Sequence, residues 1–280
     1  MNYRRILTIQ DISCVGQCSM TVALPILSAC GQETCILPSA VLSTHTGGFS
    51  FPAITGLTDF LPAAKAHWQK EGILFDAIYT GYLGSTQLIQ RTEEIIASMV
   101  APGGKIIVDP AMADHGKLYT GFDQAYVEAM GSLCAKADVI LPNVTEAAML
   151  TGMEYREGFD EDYILTLVEK LHALGAKHVV LTGVGSCQQD TGVLISGGGK
   201  IHRYCHPKLE RSFHGSGDIY ASAFVGCWMG GKTMAQSAAI AADFALKCME
   251  KTMDDPTHWY GTKFETALPF LIQRVYGEQL

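Results

Sequence analysis

Residues 105–114 read KIIVDPAMAD. Ile106, Ile107 and Val108 form an apolar run without alternation, so neither face of the strand they predict meets water. Pro110 has no N–H to give a sheet and ends the strand after Asp109. The pattern recurs: RILTI at 5–9, a short run at 34–37, DAIYT at 76–80, DVIL at 138–141 before Pro142, and HVVL at 178–181. Helical stretches at 59–71, 85–100, 121–136 and 160–174 separate the later strands, and a further helix is expected between Gly16 and Gly31. Short buried strands alternating with helices predict an α/β fold: a mostly parallel central sheet with helices on both faces. At 191–205 the rhythm changes, because TGVLISGGGKIHRYC reads as two strands around a glycine turn, an antiparallel hairpin at one sheet edge. Helices at 218–229 and 233–251 follow. No low-complexity linker, charge block or repeat divides the chain, so residues 1–280 are read as a single domain.

The 280 residues are 48% hydrophobic and 17% charged, enough apolar material for a full core. The formal net charge is −8 and no Lys/Arg run stands out, which argues against nucleic acid or an acidic membrane surface as the main partner. An anionic ligand must then be held by local backbone donors, a few basic residues or a metal. The nine cysteines are odd in number, lie mostly within apolar patterns and form no CxxC pair, which reads as reduced core thiols. The first residues enter a strand at once, and no uninterrupted apolar span of membrane length occurs, so a cytoplasmic protein is expected.

In doubly wound sheets the ligand site lies beyond the carboxyl ends of the strands. Here the chemically informative residues fall there: Asp11 and Gly16, STHTGGF at 43–49, GYLGS at 81–85, PAMAD at 110–114, PNVTE at 142–146, and TGVGS at 182–186. The sharpest segment is GSGD at 215–218. Gly215, Ser216 and Gly217 suit an anion hole at a helix start, where backbone amides and the helix dipole favour negative charge. A carboxylate at Asp218 would repel that anion, unless it stands beside the hole as the base that accepts a proton from a hydroxyl attacking phosphorus. The plainer reading of Asp218 is a helix cap. Asp109, Asp114 and Glu146 suit a Mg²⁺ ion that also binds phosphates, whereas Asp109 at a strand end equally suits a structural hydrogen bond and Asn143 with Glu146 approximates a capping box. Thr46 and His45 offer recognition of a small polar ring or merely a polar turn, and Cys14, Cys18, Cys205 and Tyr82 are candidates to line the same pocket.

Taken in order, ILTIQD (6–11), STHTGG (43–48), GYLGS (81–85), VDPAMAD (108–114), PNVTEA (142–147), VVLTG (179–183) and GSGD resemble the pyridoxal kinase branch of the ribokinase-like superfamily, over essentially the whole chain. The resemblance implies a three-layer α/β sandwich, usually dimeric, transferring the ATP γ-phosphate to the 5′-hydroxymethyl of a vitamin B6 vitamer with Mg²⁺ and often a monovalent cation. It implies Asp218 as base and Gly215–Gly217 as anion hole. Asp109, Asn143 and Thr182 would contact ATP phosphates, Asp114 and Glu146 would be linked to Mg²⁺, and Thr46 and Tyr82 would contact the vitamer. Many members carry serine where this chain has Asp11, which leaves open the choice among pyridoxal, pyridoxine and pyridoxamine. GSGD replaces the commoner GTGD.

A hydroxymethylpyrimidine kinase of a sister branch is the closest alternative; that branch often has a cysteine near the base. Sugar kinases of the superfamily fit less well, since residues 1–60 show no lid segment rich in strand pattern. A non-catalytic binder of B6 or nucleotide gains little from Asp218. No GxGxxG follows the first strand, which argues against a dehydrogenase.

Overall fold

The structure is a computed structural model that describes residues 2–185 and 189–277. Cys187 and Ser186, the end of the TGVGS segment, lie outside the described residues. The strands are β1 (Arg5–Ser13), β2 (Glu33–Leu42), β3 (Ile54–Gly56), β4 (Phe75–Thr80), β5 (Val100–Val108), β6 (Ala113–Asp114), β7 (Lys117–Leu118), β8 (Val139–Ile140), β9 (His178–Thr182), β10 (Asp190–Gly197) and β11 (Lys200–Pro207). Nine of them form one sheet in the order β11-β10-β9-β8-β5-β4-β1-β2-β3, while β6 and β7 make a separate small hairpin. Strands β2, β1, β4, β5, β8 and β9 run parallel. The expected hairpin, β10 with β11, closes one edge antiparallel to β9.

The continuous apolar runs are explained by two separate cores. Along β9, Val179 and Leu181 face one core and Val180 the other; along β4, Ile78 and Tyr79 divide in the same way. Helices α2 (Phe60–Lys70), α3 (Thr86–Met99), α4 (Gln124–Cys134), α5 (Val144–Thr151) and α6 (Glu161–Leu174) cover the first core. The second lies beneath α1 (Met20–Ala29), α7 (Ser216–Met229), α8 (Met234–Glu250) and α9 (Leu268–Tyr276). This is a three-layer sandwich of the ribokinase-like kind.

The structure departs from the sequence reading at several ends. Strand β2 continues to Leu42 and is joined by antiparallel β3, so the first 60 residues hold more strand than their pattern suggests. Helix α7 begins at Ser216, not Asp218, because Gly215 takes a left-handed conformation (φ 77°) as its N-cap. Helix α9 and the β6–β7 hairpin are additional, and α5 follows the Asn143 cap. The sheet reverses direction of growth between β1 and β4, the switch point where ligands bind in such sheets.

Candidate active site

The start of α7 carries two glycines with different reasons. At Gly215 a Cβ would stand 1.8 Å from the Gln17 carbonyl oxygen, and φ is positive, so the fold itself requires glycine. At Gly217 nothing lies within 4 Å of the position a Cβ would take, and φ is not positive. No contact within the protein demands that glycine, and the space beside it is open to an approaching ligand. The first intrahelical bond runs from the Ile219 N–H to the Gly215 carbonyl (3.0 Å), leaving the Gly217 and Asp218 amides directed out of the helix start. No side chain caps this helix. Space and donors thus coincide.

Asp218 is the third residue of α7. Burial pushes its carboxyl up to about 7; the Ser19 backbone N–H acts against this, and nearby Asp11 adds to it. Asp11 sits in β1 where the register with β2 shifts between Gln10 and Ile12, a bulge that re-aims its side chain. It is buried, which raises its carboxyl, while the hydroxyls of Ser19 and Ser13 hold it down. The Ser13 Oγ donates to Asp11 Oδ2 over 2.9 Å. Burial and then Asp11 raise the Tyr82 phenol; burial, then Asp218, then Asp11 raise the Cys18 thiol. Asp11, Cys18, Tyr82 and Asp218 therefore share one electrostatic neighbourhood at the end of β1. The Tyr82 ring stacks on Phe122 at 5.4 Å, which fixes its orientation from α4's side of the sheet.

His45 is placed beside this group but is fully engaged. Its Nδ1 accepts from the Gly47 N–H (3.1 Å), which leaves Nε2 as the N–H donor to the Tyr260 carbonyl (2.7 Å). The ring packs against Gly16, where a Cβ would fall 2.0 Å from it. Burial lowers its basicity, and the nearby His214 adds to that. His45 thus clasps the 43–50 loop to the 258–260 segment, and its ring nitrogens are not free to recognise a substrate. Thr46 is exposed on the loop rim. Cys14 is exposed, and Cys205 lies on the edge strand β11 opposite Gly192.

A second acidic group lies at the ends of β5 and β8. Burial raises Asp109 first, then the charges of Glu146 and Asp218; the Ala111 N–H opposes them. Glu146 is buried and pushed up to about 7 by burial. Its Oε1 accepts from the Met112 N–H (3.1 Å) and its Oε2 from the Asn143 N–H (2.9 Å). The capping box read from the sequence is present, with Asn143 Oδ1 accepting from the Glu146 N–H (2.9 Å). Asn143 Nδ2 donates to the Ala113 carbonyl (2.9 Å), tying α5 to the β6–β7 hairpin. Thr182 bridges to Asn143 across adjacent strand ends, and its hydroxyl donates to the Pro142 carbonyl (3.3 Å). Asp114 is exposed, and its Oδ1 accepts from the His115 N–H (2.8 Å).

For Mg²⁺ the donor chemistry fits a phosphate-borne ion and not a protein cage. Among the described residues no group of three or more His, Cys, Asp or Glu side chains is arranged to hold a metal. Yet Glu146 and Asp218 both crowd negative charge onto Asp109, and Mg²⁺ with phosphate ligands needs only one or two carboxylates, often through water.

Two residues of the site have no motif signal. Ser19 holds down the carboxyls of both Asp11 and Asp218, and the Tyr119 phenol is raised by burial and by four acids, Glu146, Asp114, Asp218 and Asp109. Each is brought there by residues distant in sequence.

The fold and the site define a kinase of the ribokinase-like superfamily, an enzyme that phosphorylates an alcohol group. The chain belongs to the phosphomethylpyrimidine kinase family, which it matches over residues 57–261, and within the superfamily it falls with the pyridoxal kinases. A Bacteroides thetaiotaomicron protein described as a phosphomethylpyrimidine kinase, crystallised with pyridoxal, is 34% identical and superposes with a TM-score of 0.91, covering 96% of this chain and 95% of that one. Pyridoxal kinase from Lactobacillus plantarum is 32% identical with a TM-score of 0.90, covering 98% and 99%. Pyridoxal kinase of Arabidopsis thaliana is 26% identical over 271 residues, 90% of this chain and 83% of its own.

Proposed function

We propose that the chain transfers the γ-phosphate of ATP to the 5′-hydroxymethyl group of a vitamin B6 vitamer. The observation that carries this reading is the pairing at the start of α7. Free amides and an unobstructed Gly217 stand next to a carboxyl pushed up to about 7, close to the neutral pH where a general base works best. The relative crystallised with pyridoxal supports the substrate class.

In this mechanism Asp218 takes the proton of the hydroxymethyl group as its oxygen forms a bond to the γ-phosphorus. The bond from that phosphorus to the β–γ bridging oxygen breaks, and ADP leaves with the electron pair. The glycine-rich turn Gly215–Gly217, with the Gly217 and Asp218 amides directed out of the helix start, faces the charge on the transferring group. Asp11 accepts from the protonated ring nitrogen or the phenolic hydroxyl of the vitamer, while Tyr82 lines the ring and Thr46 lies at the rim. Asp109 and Thr182 face the nucleotide phosphates. Asn143 and Glu146, whose polar atoms are engaged with each other and with backbone groups, set the shape of that loop. Mg²⁺, when bound with ATP, neutralises phosphate charge; Asp109 and Glu146 would hold it through water, with Asp114 nearby on its hairpin.

We also read the chain as a homodimer. All three residues of the edge strand β3 are exposed, and Phe51, Ile54 and Phe60 present apolar surface on or beside it. Light scattering on the purified protein is expected to give twice the chain mass; a monomer at micromolar concentration would remove this part of the proposal.

The mechanism is tested by Asp218→Ala. Turnover is expected to vanish while ATP binding, followed by calorimetry, is retained. A variant keeping more than about a tenth of the rate would show that Asp218 is not the base.

A further inference from the structure

Gly47 and Gly48, in the loop between β2 and β3, each meet a ring from a distant part of the chain. At Gly48 φ is 79°, and a Cβ would stand 2.9 Å from Trp259 Cζ3. Turn geometry alone accounts for that glycine. At Gly47 φ is not positive, and a Cβ would stand 2.6 Å from His214 Nδ1 and 2.7 Å from its Cε1. Here the close approach of the imidazole accounts for the glycine, because a side chain at 47 would push the His214 ring away.

His214 directly precedes Gly215, the N-cap of α7, so one side chain joins the loop that carries Thr46 to the turn at the anion hole. The two ends of this joint are held unequally. The anion-hole end is fixed without the imidazole. The Gln17 carbonyl oxygen lies 1.8 Å from where a Gly215 Cβ would be, and Arg211 ties the incoming segment to residues 255–258. Its Nη1 donates to the Asp255 carbonyl (3.2 Å) and its Nη2 to the His258 carbonyl (3.4 Å). The guanidinium also lies 4.5 Å from the ring centroid of the buried Phe213. The loop end leans on rings: His45 on His214 with centroids 5.2 Å apart, and Phe49 on Trp259 at 4.6 Å. Loss of the His214 ring therefore leaves the anion hole in place and releases the loop at Gly47, next to Thr46.

We propose that His214 is a positioning residue that sets the vitamer loop, through ring contact with Gly47, on the segment that forms the anion hole. The inference rests on the kinase reading above, in which Thr46 meets the vitamer and Gly215–Gly217 the transferring phosphate. His214 acts through the shape of its ring, and its nitrogens take no part in the chemistry.

His214→Ala, His214→Phe and His214→Gln are compared with the parent, with Mg·ATP and each B6 vitamer. His214→Ala is expected to raise the KM for the vitamer about tenfold, while kcat and the KM for ATP stay within about threefold. His214→Phe keeps a flat ring against Gly47 and should restore the vitamer KM to within about twofold of the parent, which His214→Gln should not. All three should melt within about 2 °C of the parent, since His214 is exposed. Gly47→Ala drives its methyl into the His214 ring and should also raise the vitamer KM. In the double variant Gly47→Ala/His214→Ala that ring is gone, so the two effects should not add, and the vitamer KM should be no higher than in the worse single variant.

A vitamer KM in His214→Ala equal to the parent's, or equal rises in the KM for vitamer and for ATP, overturns the proposal. So does rescue by glutamine but not by phenylalanine, or additive effects in the double variant. If the parent turns over a B6 vitamer and His214→Ala matches it, only the role of His214 fails. A parent that turns over no vitamer removes both readings.

Discussion

At Asp218 the burial that, in the proposed mechanism, poises the carboxylate for proton abstraction also works against the folded state. Its ordinary value is 3.8 and the folded chain moves it to about 7. The folded state therefore holds the proton more tightly than the unfolded state. The stability linked to this group is fully present below pH 3.8 and is lost as pH rises through about 7. Asp218→Asn is expected to raise Tm by about 3 °C at pH 8, with the gain shrinking as the pH is lowered. An equal gain at both ends of the range would contradict the shift. In activity the sign reverses, since the base must be ionised: kcat/KM should fall as pH drops through about 7. Asp11 makes a separate prediction. Asp11→Ser should change the ratios among pyridoxal, pyridoxine and pyridoxamine more than it changes ATP affinity; unchanged ratios would take Asp11 out of the ring pocket.

The start of α7 shows at the scale of the element how two similar glycines differ. Gly215→Ala forces a Cβ against the Gln17 carbonyl at positive φ, so the helix start must shift. A lower Tm together with a loss of about 100-fold or more in kcat/KM is expected, the magnitude typical of disrupting an anion hole. Gly217→Ala meets open space, and its expected signature is an undiminished Tm with a raised KM for ATP. A Tm fall in Gly217→Ala would mean that the glycine serves the fold and not the ligand. The same contrast explains what the sequence conveyed. The β-branched runs at 105–109, 138–141 and 178–181 show the parallel strands because each side chain there meets a core. The Asn143–Glu146 capping box is local and was legible, as was GSGD. The start of α7 two residues early, the antiparallel β3 and the engagement of both His45 nitrogens depend on Gln17, on residues 40–42 and on Tyr260 respectively. Spacing along the chain does not carry such contacts.

Across the whole molecule, the sheet separates two cores and its switch point brings the loops after β1, β4, β5, β8 and β9 to one end. The first group of acids lies near the end of β1 and at the start of α7, the second after β5 and β8. In the proposed mechanism the heterocycle lies near Asp11 and Tyr82 and the nucleotide phosphates near Asp109 and Thr182, with Asp218 between them. No helix among the described residues is long and apolar enough to cross a membrane. The central claim is most directly tested by incubating the purified protein with Mg·ATP and, in separate reactions, pyridoxal, pyridoxine, pyridoxamine and hydroxymethylpyrimidine, then measuring ADP and the phosphorylated product by mass. Stoichiometric ADP and a 5′-phosphate from at least one B6 vitamer is the expected result. Product from the pyrimidine alone, or from none of the four, would contradict it.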